Sequence, residues 1–320
     1  MDGFIPGKII SMEVSRLTTE WINMRYKANA KINLSLDVTG VRENGYHDVR
    51  MIMQSVNLCD YLDFEVNNSG KIELFCSNPE IECDKSNLIY KAADKLINKA
   101  VTEKRLDKNT GVTISLEKNI PIAAGLAGGS TDAAATLVGL NEILGLGYSV
   151  SDLKDLGVTL GADIPFCIVG GTYLSEGIGE VLTRIKDAPD CFVVLVKPDI
   201  NVSTKFVYDN LVLNEETIHP DVDAMLNSIE SGSIARVADC LDNLLATVTE
   251  KEYPIIVEIK SILKENGAIN AIMSGSGPTV FGLFDDEDKA TKALDILRKK
   301  VDFKQGFVTT FAKYGIKGIK

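Results

Sequence analysis

Residues 121–144 read PIAAGLAGGSTDAAATLVGLNEIL. Three glycines, Gly125, Gly128 and Gly129, stand directly before a stretch with helical spacing, in which Ala133, Leu137, Leu140 and Leu144 recur on one apolar face. Ser130, Thr131 and Asp132 supply N-cap chemistry at its start, and Gly145 with Gly147 can end it. Glycine permits positive φ and lets another group approach the backbone closely. A glycine loop feeding a helix N-terminus also aims backbone N–H groups and the positive end of the helix dipole at one small volume, which suits phosphate. The plainer alternative is a tight strand-to-helix connection. The Walker pattern is absent, because Ser130 follows Gly129 where that pattern has lysine, and no G-x-G-x-x-G fingerprint of dinucleotide folds occurs.

On the N-terminal side of this stretch, GVTISLEKNI (111–120) alternates as a strand, and NLIYKAADKLINKAV (87–101) has helical spacing. Further back, YKANAKINLSLDV (26–38) places Ile32, Leu34, Leu36 and Val38 on one face and Lys31, Asn33, Ser35 and Asp37 on the other, a half-buried strand with a polar side. RENGYH (42–47) is a turn, DVRMIMQSVNLCDYLDFEV (48–66) a long strand region and KIELFC (71–76) a short one; residues 1–23 read as a loosely ordered lead. On the C-terminal side, SDLKDLGVTLG (151–161) is a helix leading to Asp163, and FCIVGGTYL (166–174) reads as a strand. A domain break falls near RIKDAPD (184–190), before the apolar strand CFVVLVKP (191–198). Helices are expected around 203–211, 221–247, 254–266 and 287–299, with strands at 268–273, 279–284 and 306–313. Hairpin strands with helices on one side predict an α+β protein of two domains, residues 24–184 and 185–320.

The 320 residues carry a formal charge of −11, which argues against nucleic-acid or anionic-membrane binding; an anionic ligand then needs a local positive site. Six cysteines form no C-x-x-C pair and the two histidines, His47 and His219, fit no zinc spacing. With no run of about 18 apolar residues either, the chain reads as reduced and cytoplasmic.

Asp163, between a helix end and a strand, is placed to be held rigidly and still face a cleft, where a carboxylate can accept a proton from a hydroxyl. Turn aspartates more often bond nearby backbone. Lys31 beside Asn33 on a strand, Tyr46-His47 in a turn and SGSGPTVF (274–281) each have an equally plain structural reading.

Together these stretches resemble the GHMP kinases, a family of small-molecule kinases, over nearly the whole chain from about residue 24. The family's middle motif P-x-x-x-G-L-[AG]-G-G-S-[ST] is met from Pro121 to Thr131, and its third, glycine-rich motif by SGSGPTVF. Asn29, where proline is usual, and Ala123-Ala124, in place of glycines of some relatives, depart from the pattern. The resemblance implies a ribosomal protein S5 domain 2-like N-terminal domain and a ferredoxin-like C-terminal domain. It implies ATP and Mg2+, with the nucleotide held by Pro121, Ile122, Ala123, Ala124, Gly125, Leu126, Ala127, Gly128, Gly129, Ser130 and Thr131, Asn87 toward the adenine, and Ser130 as the contact for the metal. It implies Asp163 as general base and Lys31 as its electrostatic partner. Within the family, AKINLSLDVTGVRENGYHDV (30–49) and TLGADIPFCIVGGTYLSEGIGEVL (159–182) are similar to members acting on a cytidyl-bearing alcohol, which places Asn33, Tyr46, His47 and Tyr208 at that small-molecule substrate.

Overall fold

The computed structural model describes residues 24–319, so the expected lead at 1–23 lies outside the described residues. Two long alternating runs make the first hairpin, β1 (Met24–Val41) and β2 (His47–Asn67), joined by the turn at 42–46. There follow β3 (Ile72–Cys76), α1 (Leu88–Thr102), β4 (Gly111–Glu117), α2 (Gly128–Ile143), α3 (Val150–Val158), α4 (Ile164–Val169), β5 (Thr172–Glu176) and β6 (Val181–Arg184). The later part contains β7 (Phe192–Lys197), α5 (Thr204–Asp209), α6 (Val222–Ser231), α7 (Ile234–Asp239), β8 (Asp242–Asn243), α8 (Ala246–Glu252) and α9 (Ile255–Glu265). It ends with β9 (Asn270–Met273), β10 (Val280–Phe284), α10 (Glu287–Lys300), β11 (Gln305–Thr310) and β12 (Ile316–Ile319).

The first sheet runs β12-β1-β2-β4-β3, with β5 on β2, β6 on β5 and β8 on β1. The second runs β11-β7-β10-β9, every neighbour antiparallel, which is the 4-1-3-2 order of a ferredoxin-like unit. Strand pairing crosses the expected 184/185 boundary, since β8 and β12 both pair with β1.

Among the described residues, three apolar cores fill the layers. One lies between the first sheet and helices α1 to α4, where Ala133, Ala134, Leu137 and Leu140 of α2 meet Leu62, Phe64 and Ile114. Gly139 brings α2 close to this sheet: a Cβ there would stand 2.7 Å from Phe64 Cε2. A second core joins Ile32 and Leu34 to Val193, Leu195, Phe281 and Leu283 of the second sheet and to α6 and α7. The alternate residues Val194 and Val196 enter a third core with α9 and α10. α10 is terminated by its own charges: Asp286 accepts from Lys289 N, Glu287 and Asp288 open the helix, and Arg298, Lys299 and Lys300 close it, all matched to the dipole.

Several expectations need correction. The run FCIVGGTYL is a helix and then a strand: Pro165 preorganises the first turn of α4, Gly170 at φ +58 ends it, and only from Thr172 does β5 begin. A short apolar run does not by itself distinguish a buried helix from a strand. The expected helix 221–247 breaks at Gly232, a left-handed C-cap, restarts on the Ser233 cap, and gives way to β8 before α8. The expected strand 306–313 stops at Thr310, and β12 was not anticipated.

Candidate active site

The single apolar face expected for β1 is split in two. Its register with β2 shifts between Asn29 and Lys31 and again between Asn33 and Ser35. Ile32 and Leu34 therefore enter the second core, while Tyr26, Ala28, Leu36 and Val38 on either side enter the first. The short rotated segment turns Lys31 and Asn33 toward the glycine loop. Both are buried; Lys31 Nζ donates to Asn33 Oδ1 at 2.9 Å and to the Gly125 carbonyl at 3.3 Å.

α2 begins two residues earlier than expected, at Gly128, and its N-cap is Ala127, left-handed at φ 55, with no side-chain cap hydrogen bond. Ser130 and Thr131 thus lie in the first turn, and Asp132 just beyond it, rather than capping the helix. The free N–H groups of that turn remain available to a ligand. Positive φ in the loop falls on Ala123 (51°), Gly125 (74°) and Ala127 (55°), while Gly128 and Gly129 are helical. Glycine at 128 answers to space: a Cβ would stand 2.9 Å from Lys118 Nζ and 3.0 Å from Ile120 Cγ2. The loop is tied on both sides, with Lys31 N donating to Leu126 O, Thr279 N to Ala124 O, and Ser274 Oγ to Gly125 O at 3.1 Å. Asn243, buried, fixes the facing turn by donating to the carbonyls of Met273 and Gly275.

These elements enclose a cleft of about 800 Å³, at the large end of small-molecule sites. Lys31, Asn33, Tyr46, His47, Asn87, Asp163 and Tyr208 all line it, as do Pro121 to Gly125 and Ala127 to Ser130. Leu126 and Thr131 stand outside. Leu126 is packed in the second core, and the Thr131 hydroxyl, fully buried, donates to Asn29 O at 2.8 Å. Asn87 caps α1, accepting from Ile89 N and donating to Glu82 O, so one amide hydrogen is left for a ligand. His47 and Tyr208 come together with ring centroids 4.7 Å apart, while Tyr46 is exposed. Burial, aided by the Asp163 carboxylate, pushes the Tyr208 phenol up to about 12, so it is a hydrogen-bond donor at neutral pH. Asp163 precedes α4 half-buried and makes no side-chain cap bond, so its carboxylate is left to the cleft.

Sequence reasoning missed an ionic group at the back of this cleft. Lys118 Nζ bridges Asp60 and Asp132, the second at 2.7 Å, with all three side chains buried. Burial opposes the ammonium charge, but the two carboxylates outweigh it and hold Lys118 above its ordinary value; burial pushes Asp132 well above the usual carboxylate range. A signal existed in strand parity: Lys118 continues the inward series Val112, Ile114, Leu116, and Asp60 shares parity with buried Leu62 and Phe64. Thr204 Oγ1, bonded to Ser276 Oγ at 2.8 Å, also lines the cleft, and no motif in the sequence marks it.

The model of the GHMP kinases N terminal domain matches residues 87–171 and that of the GHMP kinases C terminal matches 225–302. The chain belongs to the GHMP kinase family. Among relatives of this GHMP kinase, the 4-diphosphocytidyl-2-C-methyl-D-erythritol kinase of Lachnoclostridium phytofermentans is 48% identical, covering 89% of this chain and 96% of that one. The enzyme of the same name from Caldicellulosiruptor bescii is 45% identical over 90% of this chain and 98% of its own. A crystal structure of 4-(cytidine 5'-diphospho)-2C-methyl-D-erythritol kinase is similar at TM-score 0.76 and 31% identity, covering 90% of this chain and 99% of that one. Homoserine kinase from Cytophaga hutchinsonii reaches TM-score 0.75 at 17% identity, a likeness of fold alone.

Proposed function

We infer that this GHMP kinase transfers the γ-phosphoryl group of ATP to the 2-hydroxyl of 4-diphosphocytidyl-2-C-methyl-D-erythritol, in the non-mevalonate (MEP) route to isoprenoid precursors. Its identity to full-length relatives of that name supports the reading. The observation that carries it in the structure is one cleft holding both an uncapped, glycine-lined helix start and the His47–Tyr208 ring pair. The first suits a polyphosphate and the second a flat base.

In this reading the first turn of α2 and the loop 121–129 hold the ATP phosphates. Lys31 offsets charge at the reacting oxygen, and Asp163 orients the hydroxyl and takes its proton. Asn33, Tyr46, His47 and Tyr208 hold the cytidyl substrate. Phosphoryl transfer asks chiefly for such positioning and charge compensation. Among the described residues no group of three or more His, Cys, Asp or Glu side chains is arranged to hold a metal ion. Ser130, which lines the cleft in the uncapped first turn of α2, is the residue that would hold Mg2+ there. When bound, Mg2+ neutralises charge on the phosphates. The acidic balance of −11 disfavours nucleic acid, and no helix among the described residues is long and apolar enough to cross a membrane. We read the partner as the small-molecule substrate alone and the location as cytoplasmic.

The test is ADP release measured with a substrate panel. The cytidyl alcohol should support turnover, and homoserine and mevalonate should not; comparable turnover of either, or none with the cytidyl alcohol, overturns the assignment. Tyr208→Ala should then raise KM for the cytidyl substrate by about 5- to 10-fold, from roughly 1 kcal/mol of lost stacking, and leave KM for ATP within twofold. Equal rises for both substrates would place Tyr208 outside the base pocket.

A further inference from the structure

The segment that enters the glycine loop and the helix that leaves it meet on one buried side chain. Asp60, on β2, is fully buried; its Oδ1 accepts the N–H of Asn119 at 2.6 Å and of Ile120 at 2.8 Å, and its Oδ2 accepts from Lys118 Nζ. Those three residues are the last before Pro121. The same ammonium continues to Asp132 Oδ2, just past the first turn of α2, and a Cβ on Gly128 would stand 2.9 Å from it. Asp60 thus secures the loop's entry through two backbone N–H groups and its exit through Lys118.

We propose that Asp60 is a positioning residue for the nucleotide: through Asn119, Ile120 and the Lys118–Asp132 link it holds both ends of the loop 121–131 in the shape that receives phosphates. Two observations separate this from ordinary core stabilisation. Burying two carboxylates around one ammonium is costly, and an apolar cluster of equal volume commonly stabilises a core as well or better. The arrangement also leaves Asp132 Oδ1 buried without a hydrogen-bond partner, so the group is not built for maximal satisfaction. What it does supply is a fixed distance between Ile120 and Gly128. The proposal rests on the kinase reading above, and the parent enzyme tests that reading separately.

Asp60→Asn keeps an oxygen for the two backbone donors but puts an uncharged amide against the Lys118 ammonium. With ATP as the probe, Kd by calorimetry and KM should rise about tenfold or more, while KM for the cytidyl substrate stays within twofold and kcat at saturating ATP stays near the parent's. Leu62→Ala, two residues along β2 and fully buried, is the stability control: it should lower Tm at least as far and leave KM for ATP unchanged. Asp132→Asn, at the other end, should raise KM for ATP too, and the double variant should be no worse than the more impaired single one. Parental ATP affinity in Asp60→Asn, equal rises in both KM values, or additive losses in the double variant would overturn the proposal. Where Asp60→Asn does not fold, Asp132→Asn decides: an ATP-selective KM increase supports the link, and none overturns it. A parent that neither binds ATP nor releases ADP would instead remove the kinase reading.

Discussion

Replacing Asp163 with asparagine is expected to lower kcat by about 10²- to 10⁴-fold, the range for losing a general base, with Tm within a few degrees of the parent's. The variant keeps size and shape. It also keeps the backbone role of residue 163, whose carbonyl accepts the Cys167 N–H at 3.0 Å in the first turn of α4. A helix-end aspartate normally stabilises by capping, and removing a cap costs about 1 kcal/mol. Asp163 makes no such bond, so the structural reading predicts almost no effect on stability and none on turnover. The catalytic reading predicts a collapse of kcat with ATP still bound, because the glycine loop is untouched. Steady-state kinetics, a melting curve and an ATP titration on the same sample separate the two. Near-parental kcat would remove Asp163 from the reaction and leave Lys31 without the partner proposed for it.

The glycine loop was legible because its information is local: glycine density followed by a 3.6-residue period is visible in any window that contains it. How the loop turns was not. Gly125 takes positive φ as expected, but Gly128 and Gly129 are helical and two alanines, Ala123 and Ala127, are left-handed in the same loop, because the surrounding hydrogen bonds outweigh a modest intrinsic penalty. β1 shows the same limit. Alternation of Ile32, Leu34, Leu36 and Val38 placed Lys31 and Asn33 together, yet the register shifts that point this pair at the loop depend on β2 and leave no mark in β1 alone. Asp60 and Lys118 were readable by parity, as charges on inward strand positions. Parity alone assigns them no role, because an inward charge acquires meaning only when its partners, 14 and 58 residues from Lys118, are known to meet it. β12 was missed for a related reason: a four-residue strand has almost no pattern of its own and exists by pairing with β1.

Gly125→Val is expected to weaken ATP binding by about 100-fold or more while leaving the fold intact. Gly125 lies at φ +74, where a β-branched residue is strained by about 1–3 kcal/mol. Crowding costs more than this strain. A Cβ at this position would stand 2.4 Å from Ser274 O and 3.0 Å from Gly277 O, both backbone atoms that no rotamer change can move. The loop must therefore separate from the turn at 274–277. Its carbonyl would then leave the Lys31 ammonium and the Ser274 hydroxyl, both of which it now accepts from. With every 1.4 kcal/mol worth tenfold in affinity, strain and clash together reach the stated loss. Gly125→Ala, with the same conflict at Cβ but no branching, should bind ATP more tightly than the valine variant and less tightly than the parent. The contacts at risk belong to one loop and one turn, so far-UV circular dichroism should match the parent's and Tm should fall by only a few degrees. Gly128→Val offers a comparison in helical backbone. Its Cβ would meet the Lys118 ammonium, which Asp60 and Asp132 hold in place, and the Ile120 side chain, so affinity should fall there too, through displaced side chains rather than a separated backbone turn. Calorimetric titration with ATP measures all three. Parental affinity in Gly125→Val would mean that the nucleotide does not depend on the junction of loop and turn, and the phosphate-binding role of residues 121–129 would fall with it.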